Sequence, residues 1–206
     1  MRMTGSVLLQ HVAERILTEW MRRQGRLDVR STGNLASFGG HSVDLTYVVN
    51  GVRRAVKVKP DTYFGTDQRR IADRALTFYR AVSGAYAFET VANAATREPG
   101  WMIESSADEL LYYFIAITQT EEEVAALLGE SDEVFFSELA VDRDELVIMP
   151  MDTTLAWFEK NSERYTPRPV TIEGAPAWYR LVPRDHIDGA VSGVRVIGPV
   201  VQTLLR

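Results

Sequence analysis

The chain reads as a single α/β domain in which a mixed central sheet is flanked by helices. Three observations predict this: an amphipathic helical pattern opens the sequence, a β-branched hairpin with Asn50-Gly51 at its tip follows, and helical and strand-like segments then succeed one another without a repeat or a long linker. A length of 206 residues, with 46% hydrophobic and 25% charged residues, suffices for one sizeable core. The domain is expected to span residues 1–206, with its core over about 7–160 and terminal strands within 161–206.

From Val7 to Gln24, Leu9, Val12, Ala13, Ile16 and Trp20 recur at helical spacing, Arg15, Arg22 and Arg26 lie on another side, and Gly25 supplies a stop. Gly33, Gly39 and Gly40 then interrupt a segment with room for one short, irregular strand. In VDLTYVVNGVRRAVKVK two β-branched runs meet at Asn50-Gly51, a dipeptide suited to a type I′ turn because both turn residues take positive φ. Pro60 ends the second run, and TDQRRIADRALTFYRAVSG predicts a helix with Ile71, Ala75 and Phe78 on one side and Thr66 or Asp67 as its cap. AYAFETVA predicts a short strand. REPGWMIESSADELLYYFIAIT begins with a Pro-Gly turn and ends in an apolar, aromatic run suited to a buried strand, with Ala107 to Tyr112 open to a helical turn. EEEVAALLG predicts a helix whose acidic first turn suits the helix dipole and whose Gly129 ends it. EVFFSELAV and ELVIMP predict strands, TTLAWFEKN a short helix, the stretch around Pro167 and Pro169 a connector, and YRLVP and VRVIG the last strands.

Composition narrows the function. No stretch approaches the roughly eighteen uninterrupted apolar residues of a membrane span, and the start runs directly into an amphipathic pattern, so a cytoplasmic protein without membrane contact is expected. The absence of cysteine excludes a disulfide framework, a thiolate zinc site and a cysteine nucleophile. A net charge of -5 argues against a broadly basic nucleic-acid surface. Charge is uneven, however, with cations from Arg15 to Arg80 and acids at Glu121 to Glu123 and from Glu130 to Glu145. That asymmetry suits a basic half facing DNA or RNA phosphate and an acidic half facing water, a protein partner or a second copy; a solvated surface of mixed sign accounts for it equally well.

The hairpin allows side chains to be placed. With a two-residue turn, residues whose numbers sum to 101 are paired, so Val49 faces Val52, Thr46 faces Ala55 and Asp44 faces Lys57. Alternation puts Asp44, Thr46, Lys57 and Lys59 on one face and Val43, Leu45, Tyr47, Val56 and Val58 on the other. The second face is core. The first gathers a carboxylate and two ammonium groups, Asp44 directly opposite Lys57 and Lys59 diagonal to the acid at roughly 7–8 Å. An ordinary cross-strand ion pair also accounts for Asp44 and Lys57, worth a few tenths to about one kcal/mol if exposed, but Asp, Thr, Lys and Lys gathered on one face exceed what a random exposed pair would bring.

A helix followed by a hairpin with an Asp on its first strand and xxK on its second resembles the PD-(D/E)XK nuclease superfamily. The later segments FET, PGW, ADELLYYF, ELVIMPM and YRLVPRDHI resemble, in that order, those of small phage-like members, so the likeness covers most of residues 7 to 188. It implies a restriction-endonuclease-like sheet and a nuclease that cleaves phosphodiester bonds with Mg²⁺ or Mn²⁺. By the resemblance Asp44 is a metal ligand and Lys59 the lysine that positions the attacking water and stabilises charge growing on phosphate. Lys57 departs from the pattern, because it stands where the family carries Glu or Asp and sets repulsion in place of attraction for a cation. Glu89 is the first candidate to replace the missing ligand and Asp61 the second, although Glu89 also suits an exposed strand face and Asp61 a turn after Pro60. Gln10 takes the place of the first-helix acid of many members, and Glu14 points away from the apolar side. The alternative to a nuclease is an inactive nuclease fold that binds nucleic acid or protein, with Lys57 neutralising Asp44 and filling the metal's space.

Other signals are weaker. His11, His41 and His186 lack ligand spacing, Gly39-Gly40 lacks a phosphate-loop pattern, and no nucleophile-elbow sequence occurs. Trp101, Tyr112, Tyr113 and Phe114 lie in an apolar run and read as core rather than as a base-stacking platform.

Overall fold

The computed structural model describes residues 5–33, 43–172 and 175–205; His41 and the Gly39-Gly40 pair lie outside them. It is a mixed α/β structure. Helix α1 (Gly5–Arg23) leads into an antiparallel run of β1 (Leu27–Ser31), β2 (Leu45–Val49) and β3 (Val52–Asp61). After α2 (Gln68–Ala72) the chain builds β4 (Ala85–Asn93), β5 (Glu98–Pro99) and α3 (Trp101–Glu104), then returns as β6 (Glu109–Ile117), parallel to β3. Helices α4 (Glu121–Leu128) and α5 (Asp132–Glu138), strand β7 (Val141–Pro150) and helix α6 (Met151–Asn161) follow. The last elements are β8 (Pro167–Ile172), β9 (Ala175–Pro183), α7 (Arg184–Asp188), β10 (Arg195–Ile197) and α8 (Val201–Leu204).

The strands form two sheets. The mixed sheet has the order β1-β2-β3-β6-β7-β10, and a second, wholly antiparallel sheet has the order β5-β4-β9-β8. Val56, Val58, Leu111 and Tyr113 of the mixed sheet pack in one core with α1, whose buried residues include Leu9, Val12, Ala13 and Ile16. The opposite face, through Leu110, Tyr112 and Phe114, joins Tyr86 and Phe88 of β4 in a second, aromatic core. Strand β6 is therefore buried along almost its whole length, which its unbroken apolar sequence demands. Among the described residues no helix is long and apolar enough to cross a membrane.

The hairpin has the expected register, with Val49 opposite Val52 and Thr46 opposite Ala55. Asn50 and Gly51 take φ of 52° and 76°, the left-handed pair a type I′ turn requires. Strand β3 passes through Pro60 to Asp61 instead of ending there, because it pairs in parallel with β6 as far as Phe114.

Three further expectations are corrected. The segment from Thr66 is helical only over α2: Asp67 caps it, but the Asp73 carboxylate accepts the Ala75 amide at 2.9 Å and draws the chain out of the helix. The hydroxyl of Tyr79, which accepts the amides of Thr66 and Asp67 and donates to Asp142, folds the remainder back. EVFFSELAV is mostly helix α5, started by Ser131, whose side chain accepts the Val134 amide, and by the acids of its first turn. Phe135 and Phe136 look strand-like in sequence, yet both are buried in the α1-side core. Around Pro167 and Pro169 the chain is edge strand β8, which hydrogen-bonds through one side only and so tolerates missing N–H groups. The apolar run is the buried strand its sequence predicts, β6, so the alternative of a helical turn over Ala107 to Tyr112 falls away. The strands of the second sheet at AYAFETVA and YRLVP were expected, but their antiparallel pairing was not indicated by the sequence.

Candidate functional site

Lys57, Lys59 and Asp61 alternate along β3 and project from the face opposite Val56 and Val58. Asp44 lies just before β2, its amide donating to Val56 O at 2.8 Å. Its carboxylate turns onto β3, where Oδ2 is 3.0 Å from Lys57 Nζ and accepts the Val58 amide at 2.7 Å, while Nζ also reaches Oδ1 at 3.3 Å. The two side chains are 15% and 13% exposed, so the pair is shielded from water on most sides. The sequence places this contact correctly, and the structure shows what it consumes: Asp44 already has a counter-charge and a backbone donor.

Lys59 is different. Among the described residues it has no ion-pair or hydrogen-bond partner, and its Nζ sits over the Tyr179 ring, 5.9 Å from the centroid. Burial holds its ammonium below the ordinary lysine range; Asp61, Glu89 and Asp44 oppose that shift, while Lys57 reinforces it. Asp61 is fixed by its own bonds: Oδ2 accepts the Tyr112 hydroxyl at 2.6 Å and Oδ1 the Tyr63 amide at 2.9 Å. The Tyr112 oxygen also accepts the Ala87 amide at 2.9 Å, so one hydroxyl ties β3, β6 and β4 together.

Glu89 is not a free acid on a strand face. Oε1 accepts the Tyr179 hydroxyl at 2.6 Å and Oε2 the Trp101 amide at 3.2 Å. The Pro-Gly turn makes the second bond possible: a Cβ on Gly100 would lie 2.3 Å from the Glu89 carbonyl oxygen, so only glycine allows the turn to approach this closely.

Glu14 lies off the buried face of α1, as its helical position predicts, yet it is partly buried, with Oε1 accepting from Gln10 Nε2 at 2.9 Å and Oε2 from the Ser31 hydroxyl at 3.1 Å, contacts that the sequence reading did not anticipate. Gln10 also reaches Val58 O at 3.4 Å, which brings this side of α1 to the β3 backbone beside Asp44. Burial raises the Glu14 carboxyl above the usual range and the nearby Asp44 adds to it, against the bonds from Gln10 and Ser31. The i, i+4 spacing of Gln10 and Glu14 was the available signal, since both must share one side of the helix.

Asp61, Lys57, Glu89 and Asp44 thus all act electrostatically on Lys59, and Glu14, on the α1 side of the sheet, acts on Asp44 alone among them. Their donor set suits a resident ammonium better than a divalent cation. Asp44 and Glu89 each accept two protein donors, and among the described residues no three metal-type side chains converge. His11 is exposed, and His186 Nδ1 is engaged with the Tyr165 hydroxyl at 2.9 Å. Trp101, Tyr112, Tyr113 and Phe114 are buried.

Several cations of the first half are paired within the molecule. Arg15 pairs with Asp132 at 2.8 Å, Arg54 with Asp108 at 2.8 Å and Arg70 with Asp142 at 2.9 Å, and Arg53 pairs with Asp28. No family model, curated protein or solved structure matches the chain.

Proposed function

We propose that this chain is a divergent PD-(D/E)XK-type protein with a restriction-endonuclease-like sheet, whose catalytic hairpin is closed by its own lysine and which works by binding rather than by cutting. Supporting the fold reading is the order of α1, the antiparallel β1-β2-β3 and a β6 that returns parallel to β3. The observation that carries the functional reading is Lys57 Nζ at 3.0 Å from Asp44 Oδ2. A divalent ion drawn to Asp44 would face that ammonium, and like unit charges at 4 Å repel by roughly 4 kcal/mol in a partly screened protein environment.

Many of the first-half arginines are paired internally and the net charge is -5, which favours a protein partner over DNA or RNA. The acidic first turns of α4 and α5, with Glu121, Glu122, Glu123 and Glu133, are the surface best suited to it.

A specific arrangement favours a second reading, a nuclease with a rebuilt site. Asp61 and Glu89 lie within electrostatic reach of Lys59, and Glu14 within reach of Asp44. In that reading Asp44 and Glu89 hold Mg²⁺ or Mn²⁺ and Lys59 assists the attacking water.

Calorimetric titration of Mn²⁺ into the protein and into Asp44→Ala, beside cleavage assays on DNA and RNA, separates the two. The binding reading expects no heat that depends on Asp44 and no cleavage. Mn²⁺ binding abolished by Asp44→Ala, together with divalent-dependent cleavage, would establish the nuclease. Salt titration of DNA and RNA binding then separates partners: a steep loss of affinity with salt identifies a nucleic-acid binder, and absence of binding leaves the protein partner.

A further inference from the structure

Near the turn of the hairpin, on the face that carries Tyr47 and away from Lys57 and Lys59, two cavities of about 480 and 150 Å³ adjoin. They share Arg26, Tyr47 and Glu109. The larger lies where the cross-strand pair Tyr47 and Arg54 meets the start of β6 and the end of β7, beside the first turn of α6. Its volume is that of a small-molecule site.

Most of the charged groups in its wall are already matched. Arg54 donates to Asp108 at 2.8 Å, and the same carboxylate accepts the Ala55 amide at 2.7 Å. The Tyr47 hydroxyl donates to Glu109 at 2.8 Å, and Arg195 stands 3.7 Å from the other Glu109 oxygen. Burial first, and then Glu109, push the Tyr47 hydroxyl up to about 12, so it remains a donor at every physiological pH.

Two groups are left over. The Arg26 guanidinium lies over the Tyr47 ring, 5.1 Å from the centroid, and has no carboxylate among the described residues. Asp152 accepts only the neighbouring Thr153 amide, at 2.7 Å, and has no cation there. A guanidinium held against an aromatic face keeps its N–H edge for a planar carboxylate. Val49, Ala107 and Pro150 supply apolar wall between these charges.

We propose that this cavity binds a small zwitterion of the amino-acid or dipeptide class, its carboxylate on Arg26, its ammonium on Asp152 and its side chain against Val49 and Pro150. A simple anion would leave Asp152 unmatched and a simple cation would leave Arg26 unmatched; a zwitterion answers both. The site stands apart from the Asp44 hairpin and does not depend on how that hairpin functions.

The test is calorimetric titration of the full chain with the standard L-amino acids and the dipeptide Gly-Leu, then of the best of these with its amine acetylated or its carboxylate amidated. The expected result is saturable binding that weakens at least about tenfold on blocking either end, and by a similar factor in Arg26→Gln and in Asp152→Asn. Asp152 is exposed, so its substitution leaves the folded core intact and keeps the test valid if Arg26→Gln disturbs the Tyr47 stack. No binding by any of these probes at millimolar concentration, or binding indifferent to the end groups and to Asp152→Asn, overturns the proposal.

Discussion

Lys57 reaches Asp44 at 3.0 Å across the open end of the β2–β3 hairpin, and neither side chain is more than 15% exposed. An ion pair this enclosed is costly to halve, because removing one partner strands the other with its desolvation uncompensated. Lys57→Met keeps the stem and removes the charge, leaving Asp44 with the Val58 amide alone. The expected loss is about 1–3 kcal/mol, read as a lower urea midpoint with unchanged m. The double variant Asp44→Asn, Lys57→Met should recover part of it. A single variant as stable as the parent would show that the pair behaves as an open surface bridge, and Asp44 would then be available to a metal.

Reversing the charge should do more than removing it. Lys57→Glu places a third carboxylate beside Asp44 and near Glu14, converting a self-neutralised cluster into one that needs a cation. The variant should be less stable than the parent without metal and should gain stability with Mn²⁺, by about 2.7 kcal/mol at a hundredfold excess over Kd. The parent should show no such gain. Thermal melts with and without Mn²⁺ decide it, and equal Mn²⁺ responses in both proteins would refute the idea that Lys57 fills the metal's place.

How far the sequence reveals this site depends on how local its determinants are. The hairpin register and the Asp44–Lys57 contact were legible because a two-residue turn and strand alternation together specify both partner and face. Helix α1 was legible for the same kind of reason, a single long period. Glu89 was seen but not its anchors, since the bonds from Tyr179 and Trp101 depend on β9 pairing with β4 and on the Gly100 turn. No local pattern announces a pairing between strands about ninety residues apart. Helix α5 was misread because adjacent Phe135 and Phe136 imitate a strand, although Ser131 and the acids after it carried the opposing cap signal.

Glu14 gives the site a pH dependence of definite sign. Its folded-state carboxyl is raised above the ordinary value of 4.5, chiefly by burial. The protonated form is therefore favoured by folding, and its stabilising contribution is complete below 4.5 and lost as pH rises through the raised value. Glu14→Gln removes that titration while keeping the side chain's length. The stability of the parent relative to this variant should fall as pH rises out of the acid range, and at neutral pH the variant should be at least as stable. Urea midpoints across the acid-to-neutral range measure it, and parallel curves for the two proteins would contradict the assignment of burial as the cause.

Tyr112 supplies the last prediction, because its hydroxyl joins the two sheets at the site. It donates to Asp61 at 2.6 Å and accepts from Ala87 at 2.9 Å, and burial holds it well above the usual phenol range, with Asp61 adding to the shift. Tyr112→Phe preserves the ring, which packs edge-on against Tyr86 with centroids 4.9 Å apart, and removes only the oxygen. Asp61 would keep the Tyr63 amide but lose its partner inside the structure, and the Ala87 amide would lose its acceptor. Two groups left short should cost about 1–3 kcal/mol each at most, well beyond an exposed Tyr→Phe change such as Tyr63→Phe. Because Asp61 is the largest opposition to the lowering of the Lys59 ammonium, freeing its carboxylate should also alter Lys59. Its Nζ titration, followed by NMR in the parent and in Tyr112→Phe, should move upward as Asp61 turns to it. An unchanged Lys59 titration in a folded variant would mean that Asp61 stays where it is without the tyrosine, and that the hydroxyl serves the sheet junction alone.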